Sequence, residues 1–216
     1  MTKAQEYLRW NYEQKCLKTV ENLGKHYFTS VYCPTVNDVL AYIMKEAENA
    51  KTVGLGGSVS LMDLEILDKL NKMNKEVLWL ESPGLTVEAK IAVMRRQLTC
   101  DLFLTSANAV TTAGCLVNID AVGNRVASSI FGPGKVIFVV GRNKIVDNTE
   151  EALKRIKNYT APTNCMWRGY NNPCAKTGVC HDCQSPNRSC RITVIMERKP
   201  RFTDIHVLIA NEDMGL

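Results

Sequence analysis

Five of the nine cysteines fall within one short stretch, at Cys165, Cys174, Cys180, Cys183 and Cys190, whereas Cys16, Cys33, Cys100 and Cys115 are scattered. The last four of the cluster follow the pattern Cys174-x5-Cys180-x2-Cys183-x6-Cys190. Four thiolates are enough for a tetrahedral zinc ion or a four-iron cluster. The central Cys-x2-Cys lets two sulfurs of one tight turn reach the same metal, and Gly178, Pro186 and Asn187 permit the turns that would bring in the outer two. Structural zinc commonly uses two such pairs. Only one is present here, so the irregular outer spacings favour an iron–sulfur cluster over zinc. Cys165 could replace one ligand. In a chain without a secretory leader, clustered cysteines read as metal ligands before disulfides or free thiols.

A second concentration of chemistry is the glycine loop Thr52-Val53-Gly54-Leu55-Gly56-Gly57-Ser58. It follows an expected strand and precedes an expected helix, and bare backbone N–H groups at such a junction can cradle a phosphate or carboxylate. It is not the dinucleotide fingerprint, because Val59 stands where the last glycine is needed, and it is not a P-loop, because no Gly-Lys-Ser/Thr follows. Gly56, Gly57 and Ser58 are therefore candidate anion ligands, beside the alternative of a tight turn with no ligand.

Polar residues also gather just after other expected strands, over 105–114, 118–125 and 141–144. In a parallel sheet the carboxyl ends converge, and ligands bind there. Asn108, Thr111, Asn118, Asn124 and Arg125 are the candidate binding residues of that crevice. Asp120 and Lys144 are candidates for an acid/base pair, or for an ion pair holding the loops. No H-E-x-x-H and no G-x-S-x-G occurs.

The elements that must position these groups can be read from periodicity. Apolar residues at spacings of three and four, from Leu8 through Tyr12, Cys16, Val20 and Leu23 to Tyr27, predict a helix over 4–27. Thr35 with Asp38 predicts the capped start of a second helix. Strands are expected at 30–33, 52–55, 77–80, 102–105, 115–119 and 136–140. Helices are expected at 61–73, 86–98 and 124–130, and one from Asn148 should stop near Pro162. The runs 192–196 and 205–209 read as two closing strands, a hairpin by their proximity. His206, alternating with Ile205 and Val207, reads as a core or surface residue. Trp167, just ahead of the cysteine run, reads as its shield from solvent.

Strand–helix alternation with continuously apolar strands argues for an α/β fold. It should have a mostly parallel sheet, helices on both faces, an N-terminal helix and a C-terminal cysteine-rich metal loop. The composition shifts only once, near Thr163, so residues 1–216 are expected to form one domain containing the cysteine segment 163–190. That segment has few aliphatic residues and needs something to fold around.

The chain has 216 residues, 45% apolar and 23% charged, with a net charge of +5. That is ordinary for a folded soluble protein and excludes disorder as the main property. The basic residues are spread out, which argues against a nucleic-acid partner. The longest aliphatic runs, such as 136–140, fall far short of the ~20 residues of a membrane span. The polar start, Met1 to Lys15, has no leader-like apolar stretch, so a cytoplasmic location is expected.

Several of these segments together resemble the LUD (lactate-utilisation) family. They are Gly56-Gly57-Ser58, Ser106-Ala107-Asn108-Ala109-Val110-Thr111, Leu116-Val117-Asn118-Ile119-Asp120 and Gly123-Asn124-Arg125-Val126-Ala127. Phe131-Gly132-Pro133, Gly141-x-Asn143-Lys144-Ile145-Val146 and the Cys174–Cys190 run complete the set. The resemblance is to single-domain members with a C-terminal cysteine segment, and it covers nearly the whole chain. It implies a NagB/RpiA/CoA-transferase-like fold and a link to the oxidation of lactate to pyruvate, often beside iron–sulfur partner subunits. The paired ferredoxin-type cysteine runs of larger family members are lacking, as is the acidic block of ribose-phosphate isomerases.

The expected function is a lactate-utilisation-type metabolic protein. It would bind a small anionic metabolite at the strand ends, a 2-hydroxy or 2-oxo acid or a phosphorylated compound. An iron–sulfur centre on Cys174, Cys180, Cys183 and Cys190 would lie nearby. The alternative is a non-enzymatic metabolite-binding or regulatory module whose cysteine loop holds a structural zinc. Whether the chain is catalytic, and whether it forms a homo-oligomer, stays open at this point.

Overall fold

The computed structural model describes residues 2–216. Six parallel strands form the main sheet: β1 (Thr29–Cys33), β2 (Thr52–Leu55), β3 (Glu76–Trp79), β4 (Leu102–Thr105), β7 (Lys135–Gly141) and β10 (Asp204–Ala210), in the spatial order β1-β10-β7-β4-β2-β3. A second, four-stranded sheet has the order β8-β5-β6-β9, from β5 (Ala109–Thr111), β6 (Leu116–Asp120), β8 (Ile145–Val146) and β9 (Ile192–Met196).

The unbroken apolar strands feed two cores. Ile137 and Val139 of β7 face one side, with Leu55, Leu104 and Leu208, against the helices α2 (Val36–Ala47), α3 (Val59–Asp63) and α4 (Ile66–Lys72). Val136, Phe138 and Val140 face the other, with Phe103, Val207 and Ile209. That side is covered by α1 (Lys3–Lys25), by Val93 of α5 (Val87–Gln97), and by Val110, Leu116 and Met196 of the second sheet. Burying a side chain such as Phe103 or Phe138 contributes about 1.5–3 kcal/mol. An α/β architecture with a mostly parallel, helix-flanked sheet is thus as the sequence predicts.

Several local expectations are corrected. The two closing strands do not form a hairpin: β10 runs in the middle of the main sheet between β1 and β7, while β9 pairs antiparallel with β6. Apolarity on both sides suits β10 to a buried central position, whereas β9 carries exposed Ile192 and Ile195 and lies at an edge. The helix expected over 61–73 is broken in two at Glu65, whose backbone is left-handed (φ 50°). The helix from Asn148 does not stop at Pro162. It runs through α7 (Thr149–Arg155), a π-helical turn at Ile156–Thr160 and α8 (Ala161–Trp167). The wide turn before Pro162 accommodates a ring that would clash in a regular helix. The apolar stripe of α1 is buried only in its second half, at Cys16 and Leu23, and Leu8 and Tyr12 are exposed. Trp167 is exposed as well and does not shield the cysteine run.

One side chain ties the two sheets together at their shared end. Arg125 projects from α6 (Asn124–Ile130), and its side chain is only 12% exposed. Its Nη1 donates to Ser106 O (2.9 Å) and Asn118 Oδ1 (2.7 Å), and its Nη2 to Asn108 Oδ1 (3.1 Å) and Ile119 O (2.9 Å). Its Nε faces Asp120 Oδ2 at 3.3 Å. Every nitrogen of the guanidinium is engaged, and the β4–β5 connection is fastened to the end of β6. Asp120 Oδ1 accepts from Val122 and Gly123 N–H and so shapes the turn that leads into α6. Replacing Arg125 with Met strands Asp120, Asn108 and Asn118, and should lower unfolding stability by about 3–5 kcal/mol. Urea denaturation should also show the Asp120→Asn/Arg125→Met double variant losing less than the sum of the single losses. Additive losses would show that the pair is not coupled.

Candidate functional site

A cavity of about 350 Å3 opens outside the carboxyl ends of β2 and β4. The strand after β2, β3, lies to one side of it, and the next, β4, lies to the other, so the chain reverses its direction across the sheet at this point. Open α/β sheets bind ligands at such reversals. The walls include Gly57 and Ser58 from the β2–α3 turn, Ser106, Ala107 and Asn108 from the β4–β5 connection, and residues 119–122 with Asn124 and Arg125. Lys144, Lys90 of α5, and Asn164, Arg168, Tyr170 and Ser189 close it.

Lys144 ends a 3₁₀ turn (Arg142–Lys144) directly after β7 and is 3% exposed. Its Nζ donates to Ser60 Oγ (2.8 Å) and Ser106 Oγ (3.0 Å). Both serines sit where strand-end backbone turns into the next element. The turn itself demands a glycine at 141, where a Cβ would lie 2.5 Å from Asn143 Oδ1 and 2.6 Å from Met214 N. Arg155 secures the same region by donating to Asn143 O, Asn108 O and Thr160 Oγ1. Among the described residues no carboxylate pairs with Lys144. Burial, then the nearby charges of Arg155 and Arg125, pull its ammonium down to about 7, and Asp63 opposes them.

The charges around the cavity do not cancel. Arg125 is matched by Asp120, and Arg168 is matched by Glu81 at 3.1 Å. Lys90 and Lys144 have no carboxylate partner among the described residues.

The residues singled out from the sequence divide accordingly. Gly57, Ser58, Asn108, Asn124, Arg125, Asp120 and Lys144 line the cavity. Gly56, Thr111 and Asn118 stand behind it. Gly56 N–H donates to Leu104 O, and a Cβ there would meet Thr105 Oγ1 at 2.9 Å, so close packing requires this glycine. Thr111 Oγ1 accepts from Cys115 N–H inside the β5–β6 hairpin, and Asn118 Oδ1 accepts from Asn108 N–H and Arg125. Asp120 bonds Arg125 and backbone, and Lys144 bonds two serines. The two do not pair with each other, as an acid/base or ion pair would require. Sequence reading missed Ser60 and Ser106 as partners of Lys144, and also Lys90 and Arg168. Only Ser106 carried any signal, its place in the polar stretch after β4.

The cysteine segment abuts the cavity. Cys165 Sγ lies 3.5 Å from Ser189 Oγ and accepts from Asn172 Nδ2 at 3.3 Å. Buried Asn172 also donates to Asn187 O and accepts from Ser185, and Arg188 donates to the carbonyls of Cys183 and Cys190, so polar side chains gather this breaker-rich loop. Burial, then Cys165, Cys183 and Cys190, push the Cys174 thiol up to about 11. Burial raises the Cys190 thiol too, with Cys180 and Cys183 adding to it. The thiols therefore feel one another. Among the described residues, however, no three Cys, His, Asp or Glu side chains stand in metal-ligating geometry.

The Lys144 pairing makes stability depend on pH. Its ordinary value is 10.5 and its folded value about 7, so between these limits the unfolded chain binds the extra proton. Unfolding stability attributable to this residue therefore rises with pH across that window. Lys144→Met should gain most over wild type below pH 7, and the difference should shrink as pH approaches 10.5. Chemical denaturation of both proteins across the window tests this, and a constant difference would refute it.

The LUD domain family matches residues 16–210. Among solved structures, a DUF162 family protein from Deinococcus radiodurans superposes with a TM-score of 0.51 at 14% identity, covering 94% of this chain and 98% of that one. That likeness bears on the fold alone. No curated protein matches. No helix among the described residues is long and apolar enough to cross a membrane. The family match spans both sheets, the Arg125 junction, the Lys144 turn and the cysteine segment, and the chain belongs to the LUD domain family.

Proposed function

We propose that this protein binds a small anionic metabolite, a 2-hydroxy or 2-oxo acid or a phosphorylated compound, in the cavity at the carboxyl ends of β2 and β4, in support of lactate oxidation to pyruvate. Family membership makes it a lactate-utilisation-related protein. The observation that carries the ligand class is the charge around the cavity: two lysines without a carboxylate partner, Lys90 and Lys144, beside two matched Arg–carboxylate pairs. A carboxylate or phosphate would supply a counter-charge to these two lysines. Gly57 and Ser58 present backbone to the same space.

Cys174, Cys180, Cys183 and Cys190 would hold a metal centre, an iron–sulfur cluster before zinc, with Cys165 able to replace one of the four ligands. Support comes from the donor chemistry, four half-buried thiols within one loop that Arg188 and Asn172 draw together. A cluster there would supply one-electron transfer next to the wall formed by Ser189 and Tyr170, and iron–sulfur partner subunits would be the natural recipients.

Calorimetric titration with L-lactate, pyruvate and inorganic phosphate tests the ligand reading. At least one should bind, and Lys90→Glu should weaken it by about tenfold or more, since it replaces an attraction with a repulsion. Failure of all three to bind, or equal affinity in the variant, overturns it. Iron and acid-labile sulfide on protein purified without oxygen test the metal reading. Equal amounts support a cluster, and one zinc per chain would make the loop a structural staple that contributes to folding.

A further inference from the structure

We propose that Lys144 is a nucleophile that condenses with the carbonyl group of an anionic aldehyde or ketone, a 2-oxo acid being the simplest, to form an imine inside the cavity. The inference rests on the anion-binding reading above and adds covalent chemistry to it.

The hydrogen bonds around the amine carry the argument. Ser106 Oγ donates to Ala107 O (3.2 Å) and Ser60 Oγ donates to Met214 O (3.4 Å). Both oxygens stand within hydrogen-bond distance of Lys144 Nζ, and Ser60 Oγ also lies 3.5 Å from Ser106 Oγ, so the partners of the amine are neutral hydroxyls. An uncharged amine has two N–H bonds and one lone pair. Held by two neutral hydroxyls, the amine can be uncharged without leaving a carboxylate partner stranded. The amine borders the cavity and lies beside no carboxylate that would hold it charged. Burial and two neighbouring guanidiniums favour its neutral form, as in lysines that attack carbonyls.

The step balances without any further reagent. The Nζ lone pair forms a bond to the carbonyl carbon, and the C=O π pair moves to oxygen. One proton passes from nitrogen to that oxygen to give a carbinolamine. Loss of one water then leaves C=N, and nothing is oxidised or reduced. The substrate's carboxylate offsets the positive charge that the protonated imine brings into a cavity already rich in cations.

The test incubates the full chain with pyruvate, and separately with glyoxylate, in the presence of sodium borohydride, followed by intact mass and peptide mapping. Borohydride reduces an imine to a stable secondary amine, so one pyruvate adds the mass of pyruvic acid less one oxygen atom. The expected result is a single adduct on the peptide containing Lys144, at more than about tenfold the yield on any other lysine. Lys144→Arg keeps the charge and should abolish it. Mapping the wild-type chain locates the lysine even if a variant fails to fold. An adduct spread over surface lysines, or none at Lys144 while calorimetry shows pyruvate bound, overturns the imine and leaves the anion site standing. No binding of any anion overturns both.

Discussion

The site hangs on one buried guanidinium. Arg125 is charged and nearly enclosed, and a buried charge left unpaired costs several kcal/mol. The fold meets that cost with one carboxylate and four oxygens drawn from two stretches of chain, the β4–β5 connection and β6. These contacts tie the two stretches to each other through one side chain. The position of Ser106 and Asn108 relative to Asp120 is therefore set by hydrogen-bond demand rather than by packing, and the cavity inherits its shape from it. The same charge also acts at a distance, because it is one of the two that lower the proton affinity of Lys144. Positioning and electrostatics come from a single side chain.

Much of the frame was legible before any coordinates. The apolar runs at 102–105 and 136–140 are strands buried on both faces, and their lack of alternation says so. Caps at Thr35, Thr86 and Asn148 mark helix starts where the structure has them. The convergence of polar residues at strand ends follows from parallel topology, and it brought Asn108, Asn124, Arg125 and Lys144 to one cavity. What escaped has physical reasons. Ala109–Thr111 is too short and too mixed with polar neighbours to read as a strand, so the second sheet stayed hidden and β9 was given to β10. Glu65 breaks a helix without glycine or proline to announce it. Ser60 and Lys144 meet across 84 residues, and Ser106 and Lys144 across 38, separations at which no spacing rule operates. Arg125 looked like a ligand-binding residue because position alone cannot tell a free guanidinium from a saturated one.

Lys144 shows why such a site carries a stability cost. Its amine is buried with no counter-ion, in the company of Arg125 and Arg155, and a methyl-terminated side chain in its place would spare the desolvation. Residues of this kind are retained where chemistry needs them, and perturbed proton affinities gather at functional sites for that reason. Neither Tyr42 nor His206 makes a comparable case. They bond each other, with Asp204 on the far ring nitrogen, at the start of β10 and so at the amino ends of the strands, away from the cavity. Burial lowers that histidine's proton affinity, as it would for any enclosed imidazole.

Anion binding and carbonyl attack pull on Lys144 in opposite directions. A bound carboxylate stabilises the ammonium and raises its proton affinity, whereas attack on a carbonyl needs the free amine. A lysine near its ordinary value would bind the anion and then be almost wholly protonated. One held far below neutrality would attract no anion at all. Arg125 and Arg155 resolve the conflict by staying charged on the protein side. They supply positive potential that does not vanish when Lys144 loses its proton, and that same potential keeps the loss easy. A value lowered to about 7 by burial and these two charges is what the proposed binding and attack together require. In the proposed chemistry a guanidinium saturated by the protein's own oxygens still acts on Lys144, through its charge.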